Sequence, residues 1–138
     1  VLQGSAREQG KTIKGLETFE QQMGFFSSLP EEQQIAFLME SASSLAEAEE
    51  VYAESERAWG AGDIAATEKL INDGLEETPD VYDVLIARRN RNWADWIEQR
   101  MGQPGNVFVA VGAGHLAGPD SVQAVLAQRG LTVQRVEY

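Results

Sequence analysis

The stretch Val107-Phe108-Val109-Ala110-Val111-Gly112-Ala113-Gly114-His115 carries the strongest fold signal in this sequence. Its first part is a continuous apolar run, which predicts a β-strand covered on both faces, as in the middle of a parallel sheet. A glycine-rich turn follows at 112–118, then a helix that opens at Pro119 and ends at Gly130, then an alternating segment at 131–136. Residues 107–136 are therefore predicted to form a β-α-β unit with a right-handed crossover.

A third strand is predicted near the start of the chain, where polar and apolar residues alternate over 11–16. The sequence thus predicts one helix-rich α/β domain over residues 1–138. Its small central β-sheet would contain strands near 11–16, 107–112 and 131–137. The chain begins at Val1 without an initiator Met, so we expect it to be the C-terminal fragment of a larger protein.

Helices are predicted between the first two strands. Ser28 and Glu31 fit a capping box that opens a long helix reaching about Trp59, and Asp63 fits the cap of the next helix. The long helix carries one apolar stripe: Ile35, Leu38, Ala42, Leu45 and Tyr52. A further helix is predicted from Pro79 to Met101, with its own stripe: Tyr82, Leu85, Ile86, Trp93, Trp96 and Ile97.

Charge and composition exclude several classes of function. The formal net charge is -11, and such a surface repels nucleic acids and anionic membranes. No apolar run reaches the roughly 18 residues that a bilayer span needs, so membrane insertion is not expected. The chain has no cysteine, which excludes disulfides, thiolate nucleophiles and cysteine-based zinc sites.

The only histidine, His115, ends the glycine-rich stretch. Ligands of open α/β sheets collect at the carboxyl edge of the strands, where this residue is predicted to lie. Gly112 and Gly114 would let a ligand approach the backbone closely. The imidazole could then ligate a metal or act as a base, whereas the alternative is a histidine that packs locally. The residues alone leave both readings open.

Arg89 is a second candidate, because it falls on the apolar stripe of the helix at 79–101. A charge on an inward face is costly unless it is paired, so Arg89 should contact a carboxylate or an anionic ligand. Glu17 follows the first predicted strand and is the leading internal partner. Glu17 could instead serve as a metal ligand or general base. Asn90 lies at the edge of the same stripe.

A dinucleotide loop is the alternative interpretation of Gly112, Gly114 and Gly118, with Glu137 as the ribose-binding acid at the end of the next strand. Such a domain needs several further β-α units, and the chain stops at Tyr138. A bulky His115 would also crowd the pyrophosphate. This interpretation is therefore disfavoured.

Four segments resemble the C-terminal part of the TraB/GumN (PrgY) family of bacteria, which is related to the Tiki proteases and to erythromycin-esterase-like and ChaN-like proteins. The matching segments are Gly15-Leu16-Glu17-Thr18 with Gln21-Gln22; Leu29-Pro30 with Gln33; Arg89-Asn90 with Trp93; and residues 108–116 continuing through Gly118-Pro119-Asp120 to Gly130. Together they cover nearly the whole chain from about residue 6.

The resemblance implies a site built from two Gly-x-x-His motifs and glutamates. Gly112-Ala113-Gly114-His115 matches the second motif, and Glu17 matches one of the glutamates. It implies that His115 and Glu17 are catalytic and bind a divalent metal (Zn, Mn or Co). Arg89, Asn90, Gly112 and Gly114 would then contact the substrate. The first motif is absent here, so this chain alone is not expected to be active.

Two functions follow from these residues and the resemblance. The first is a metal-dependent hydrolase of peptide or amide bonds, whose remaining ligands come from a missing N-terminal half or from a second copy in a homodimer. The second is a non-catalytic binding or regulatory protein with the same fold. The resemblance suggests the bacterial cell envelope or periplasm as a location, although the sequence itself specifies no compartment.

Overall fold

The computed structural model describes residues 1–76 and 78–136, and this part of the chain is an assembly of helices. In chain order the helices are α1 (Leu2–Glu8), α2 (Phe19–Ser27), α3 (Glu31–Ser43), α4 (Ala48–Gly60), α5 (Ile64–Glu76), α6 (Pro79–Tyr82), α7 (Arg88–Met101) and α8 (Val122–Gln128). Short 3₁₀ turns occupy Ser44–Ala46 and Ala113–Leu116, and a π-helical turn, Asp83–Ala87, joins α6 to α7.

The predicted central sheet and β-α-β unit are wrong for the described residues. Neither 11–16 nor 107–112 nor 131–136 forms a β-strand, and residue 137 lies outside the described residues. No backbone hydrogen bond joins 107–111 to any other described segment. The apolar run is also not covered on both faces, since Phe108 is 78% exposed. A β-strand requires backbone hydrogen bonds to a neighbouring strand, and 107–111 has no such neighbour among the described residues.

Local patterns predicted the helices better, with two exceptions. Pro79 to Met101 is helical as expected, and Asp63 caps α5 by accepting from the amide of Ala66 at 3.0 Å. The capping box at Ser28 is wrong: the box forms at Thr18 and Gln21 and opens α2. The long helix to Trp59 is interrupted by the turn at Ser44–Ala46.

A further error concerns the apolar stripe that was predicted to face inward on the long helix. Ile35, Leu38, Leu45 and Tyr52 are all exposed, and α3 and α4 contain no buried residue. Instead α3 turns its opposite side inward and packs Phe37 against the core. Sequence periodicity identified an amphipathic helix here but selected the wrong face.

Two apolar clusters share the continuous helical stretch from Pro79 to Met101. Its first half packs with Leu29 through Val81, Val84, Leu85 and Ile86. Its second half packs against α8 through Trp93 and Ala94, which meet Val122, Val125 and Leu126. These residues include the buried part of the stripe predicted from the sequence. The junction between the two clusters is where Arg89 and Asn90 lie.

None of the helices in the described part of the chain combines the length and the apolar character that a bilayer span requires. This finding agrees with the sequence, in which no long apolar run was present.

Glycine at 114 should be required by packing, whereas glycine at 24 should be dispensable. A Cβ at Gly114 would lie 2.6 Å from Cγ2 of Ile71, but a Cβ at Gly24 in α2 meets nothing within 4 Å. We expect Gly114→Ala to lower the free energy of unfolding by about 1–3 kcal/mol. Gly24→Ala should raise it by about 0.5–1 kcal/mol. Urea denaturation measures both, and equal effects would contradict the packing.

Candidate functional site

The glycine-rich loop reaches the helices as a tight turn. Gly112 is extended, and the 3₁₀ turn Ala113–Leu116 is closed by the amide of His115 donating to the carbonyl of Gly112 at 3.0 Å. Gly114 is buried against α5, while Gly112 stays exposed. Gly118 has a φ of 85°, a left-handed conformation that glycine adopts without strain. The loop therefore turns His115 back toward the helices.

His115 is 8% exposed and is held on two sides. Its ring packs on Trp93 of α7, with ring centroids 4.4 Å apart. Its Nδ1 lies 2.7 Å from Oδ1 of Asn90, one turn earlier on the same helix. The imidazole is thus oriented by α7, although the residue itself comes from the loop.

Asn90 is fully buried, at 0% exposure. Its amide nitrogen donates to the carbonyl of Asp120 at 2.7 Å and, more weakly, lies 3.5 Å from the carbonyl of His115. One side chain of α7 therefore contacts the chain at both His115 and Asp120.

Glu17 and Arg89 form the ion pair that the sequence suggested. The Nη2 and Nε of Arg89 donate to the two carboxylate oxygens at 2.9–3.1 Å, and the side chains are only 15% and 12% exposed. The indole N–H of Trp93 donates to Oε1 of Glu17 at 2.9 Å. The remaining Nη1 of Arg89 donates to the carbonyl of Leu85 at 3.1 Å. Every polar atom of this pair is engaged.

Trp93 is the residue that joins the two halves of the site. It donates to Glu17, lies under the guanidinium of Arg89 at 5.0 Å, and packs on His115. The predicted site residues His115, Glu17, Arg89 and Asn90 are thus brought together in one cluster. From the sequence, Trp93 was predicted only as a residue of the apolar core. Its polar role could have been predicted, because a buried indole N–H needs a hydrogen-bond acceptor.

A shallow apolar groove of about 190 Å³ lies beside this cluster. It is lined by side chains of the loop region, α7 and α8: Leu16, Trp93, Ile97, Val109, Val111 and Leu126 among them. Val109 and Val111 line it and are half-buried, whereas Phe108 and Ala110, which alternate with them, are exposed.

Burial lowers the pKa of His115 from 6.5 to about 4, and the positive charge of Arg89 adds to the decrease. The carboxylate of Glu17 opposes both effects by raising the pKa. The ring is therefore neutral at pH 7. A neutral imidazole is the form that accepts a proton or ligates a metal.

The predicted metal ligands His115 and Glu17 do not fit a divalent ion as a pair. Both oxygens of Glu17 accept from Arg89 or Trp93, and a cation there would be repelled by the guanidinium. Within residues 1–76 and 78–136 no group of three or more His, Cys, Asp or Glu could hold a metal. Among the described residues, no hydrogen-bond partner is found for Nε2 of His115. Glu137, invoked by the dinucleotide interpretation, lies outside the described residues.

Comparison with known proteins adds one match. The chain matches the TraB/PrgY/gumN family over residues 1–135. No curated protein matches the chain, and no solved structure matches it either.

Breaking the buried ion pair should be costly. Glu17→Gln leaves the guanidinium of Arg89 without a counter-charge, so we expect the free energy of unfolding to fall by about 3 kcal/mol. The double variant Glu17→Gln/Arg89→Met should lose less than the sum of the single variants. Asp83→Asn, in the exposed pair with Arg88, should cost about 1 kcal/mol or less. Chemical denaturation tests this, and additive effects at Glu17 and Arg89 would contradict it.

The low pKa of His115 should make stability depend on pH. The unfolded ring binds a proton near pH 6.5 and the folded ring near 4, so stability is fully present above 6.5 and decreases as the pH falls toward 4. This group alone should contribute about 3 kcal/mol over that window. The ring-proton shifts of His115 in an NMR titration measure the folded pKa. A midpoint near 6.5 would contradict the buried placement.

Proposed function

The chain belongs to the TraB/PrgY/gumN family, and on that premise we propose that it supplies the histidine side of a composite site for hydrolysis of peptide or amide bonds. The remaining groups of the site would come from a further polypeptide segment. The observation that carries this proposal is the state of His115: neutral, oriented by Asn90 and Trp93, and with its Nε2 unpaired. Such a ring suits proton transfer or ligation.

The ion pair supports the histidine rather than reacting itself. Glu17 holds Arg89 and Trp93 in place, and Trp93 carries the imidazole. A contact between Arg89 and substrate requires Glu17 to release part of the guanidinium, and it remains a prediction. A substrate contact of Gly112 is proposed for the exposed backbone of the loop, whereas Gly114, which is buried against α5, would support the turn instead. Asn90, being fully buried, is better placed to act through His115.

The completing segment would also adjust the basicity of the ring. General bases work best with a pKa near the operating pH, and a pKa of about 4 is too low for that. A carboxylate brought near Nε2 would raise the pKa of His115, as Glu17 already does from a distance. The exposed side chains of Val107, Phe108 and Val136 give the segment an apolar surface to cover.

The alternative is a non-catalytic binding or regulatory protein. One observation favours it: every polar side-chain atom of Glu17 and Arg89 is already engaged, by the other residue, by Trp93 or by the carbonyl of Leu85, as in a structural ion pair. In that case the cluster around Trp93 would serve only to hold the glycine-rich loop against α7. The two functions differ in what His115 does, so variants of His115 separate them.

Hydrolytic activity should depend on His115. In the protein completed by that segment, with quenched fluorescent peptide libraries as substrate, we expect His115→Gln to lower kcat/KM by about 100-fold or more, since proton transfer contributes about 10²–10⁴. Asn92→Ala, on the exposed side of α7, is the matched control and should keep full activity. If the completed wild-type protein hydrolyses nothing faster than His115→Gln, the non-catalytic function replaces this proposal.

A titration with Zn²⁺, Mn²⁺ or Co²⁺ addresses the metal separately. Binding heat that His115→Gln abolishes would place the ion at Nε2, with its other ligands outside the described residues. Heat that is unchanged in the variant would remove the metal from the proposal and leave the proton-transfer role of His115 intact.

A further inference from the structure

The orientation of the Asn90 amide is determined by its surroundings. On one side lie two carbonyl oxygens, those of Asp120 at 2.7 Å and of His115 at 3.5 Å. Carbonyl oxygens only accept hydrogen bonds, so this side must be occupied by the amide nitrogen, which donates. The amide oxygen of Asn90 therefore faces the imidazole, and flipping the group would place oxygen against oxygen.

The protonation of the ring follows from that orientation. Oδ1 of Asn90 is an acceptor and lies 2.7 Å from Nδ1 of His115, so Nδ1 must carry the proton and donate it. A neutral imidazole has a single N–H. We infer that Asn90 is a positioning residue that holds His115 in the Nδ1–H tautomer and thereby leaves Nε2 as an unprotonated, available nitrogen.

The available nitrogen is not sealed inside the protein. In the described part of the chain, the buried side-chain nitrogen and oxygen atoms without a partner are Gln33 Oε1, Asn72 Oδ1 and Gln123 Oε1. Among the described residues Nε2 of His115 has no hydrogen-bond partner, and it is absent from that group, so it keeps some contact with solvent. Nδ1 is thus engaged by Asn90, whereas Nε2 is left unpaired.

The unprotonated Nε2 of His115 determines which chemical groups it can bind. A nitrogen with a free lone pair recognises a hydrogen-bond donor or a Lewis acid, and it repels another acceptor. The inference rests on the proposed function for its use in catalysis, because that function needs Nε2 as the reacting atom. The tautomer itself is a property of the folded chain and does not depend on any activity.

The tautomer is measured directly by long-range ¹H–¹⁵N correlation on the ¹⁵N-labelled chain at pH 8. His115 is the only histidine, so its two ring nitrogens need no further assignment by residue. We expect a protonated, pyrrole-type shift at Nδ1 and an unprotonated, pyridine-type shift at Nε2. The reverse pattern, or averaged shifts at both nitrogens, would overturn the inference even if the protein hydrolyses peptides.

Variants of Asn90 separate positioning from simple structural support. Asn90→Asp keeps an acceptor for Nδ1 but loses the donor to the Asp120 carbonyl, so it should lose stability and still keep the Nδ1–H tautomer. Asn90→Ala should lose both, and Asn92→Ala neither. A folded Asn90→Ala that retains a pure Nδ1–H ring would overturn the inference. If Asn90→Ala does not fold, the wild-type and Asn90→Asp spectra decide.

These outcomes are distinguishable from failure of the proposed function. If the chain shows the expected tautomer but the protein completed by the further segment has no hydrolytic activity, the hydrolase is refuted and the role of Asn90 stands. An active protein with the Nε2–H tautomer would refute the role of Asn90 alone.

Discussion

The buried charge of Arg89 is the constraint from which the rest of the site follows. A guanidinium placed among apolar side chains of the central helix must be neutralised where it stands. Glu17 does this, and the segment that precedes α2 is thereby bound to α7. The same carboxylate accepts from Trp93, whose ring the imidazole of His115 contacts at an interplanar angle of 52°. One electrostatic requirement thus connects four residues from three parts of the chain.

The polar groups of the cluster act as two linked units. Glu17, Arg89 and Trp93 satisfy one another and form a rigid support. Asn90 and His115 form the second unit, in which Asn90 holds the chain at His115 and at Asp120. The two units meet only where the rings of Trp93 and His115 pack. Neutrality of the histidine is a consequence of this packing, because burial and Arg89 disfavour its charged form.

The residue pattern predicted which side chains lie together better than it predicted the fold around them. The pairing of Glu17 with Arg89 could be predicted, because a charged residue on an apolar stripe must find an opposite charge. The helix from Pro79 to Met101 could be predicted as well, because its apolar pattern is long and regular. The absence of the predicted sheet could not be foreseen, because an apolar run such as 107–111 forms a strand only when neighbouring strands pair with it. The tertiary contacts of Phe37 likewise determine which face of α3 is turned inward. The stripe that contains Ile35 and Leu38, although more apolar in the sequence, stays exposed.

The contact between Trp93 and His115 connects the unit formed by Glu17, Arg89 and Trp93 to the imidazole. A nuclear Overhauser spectrum tests this contact most directly. We predict cross-peaks between the indole protons of Trp93 and the ring protons of His115, since the ring centroids are 4.4 Å apart. We also predict a slowly exchanging Trp93 indole N–H, because that proton is donated to the largely buried carboxylate of Glu17. A rapidly exchanging indole N–H without cross-peaks to the imidazole would contradict this contact.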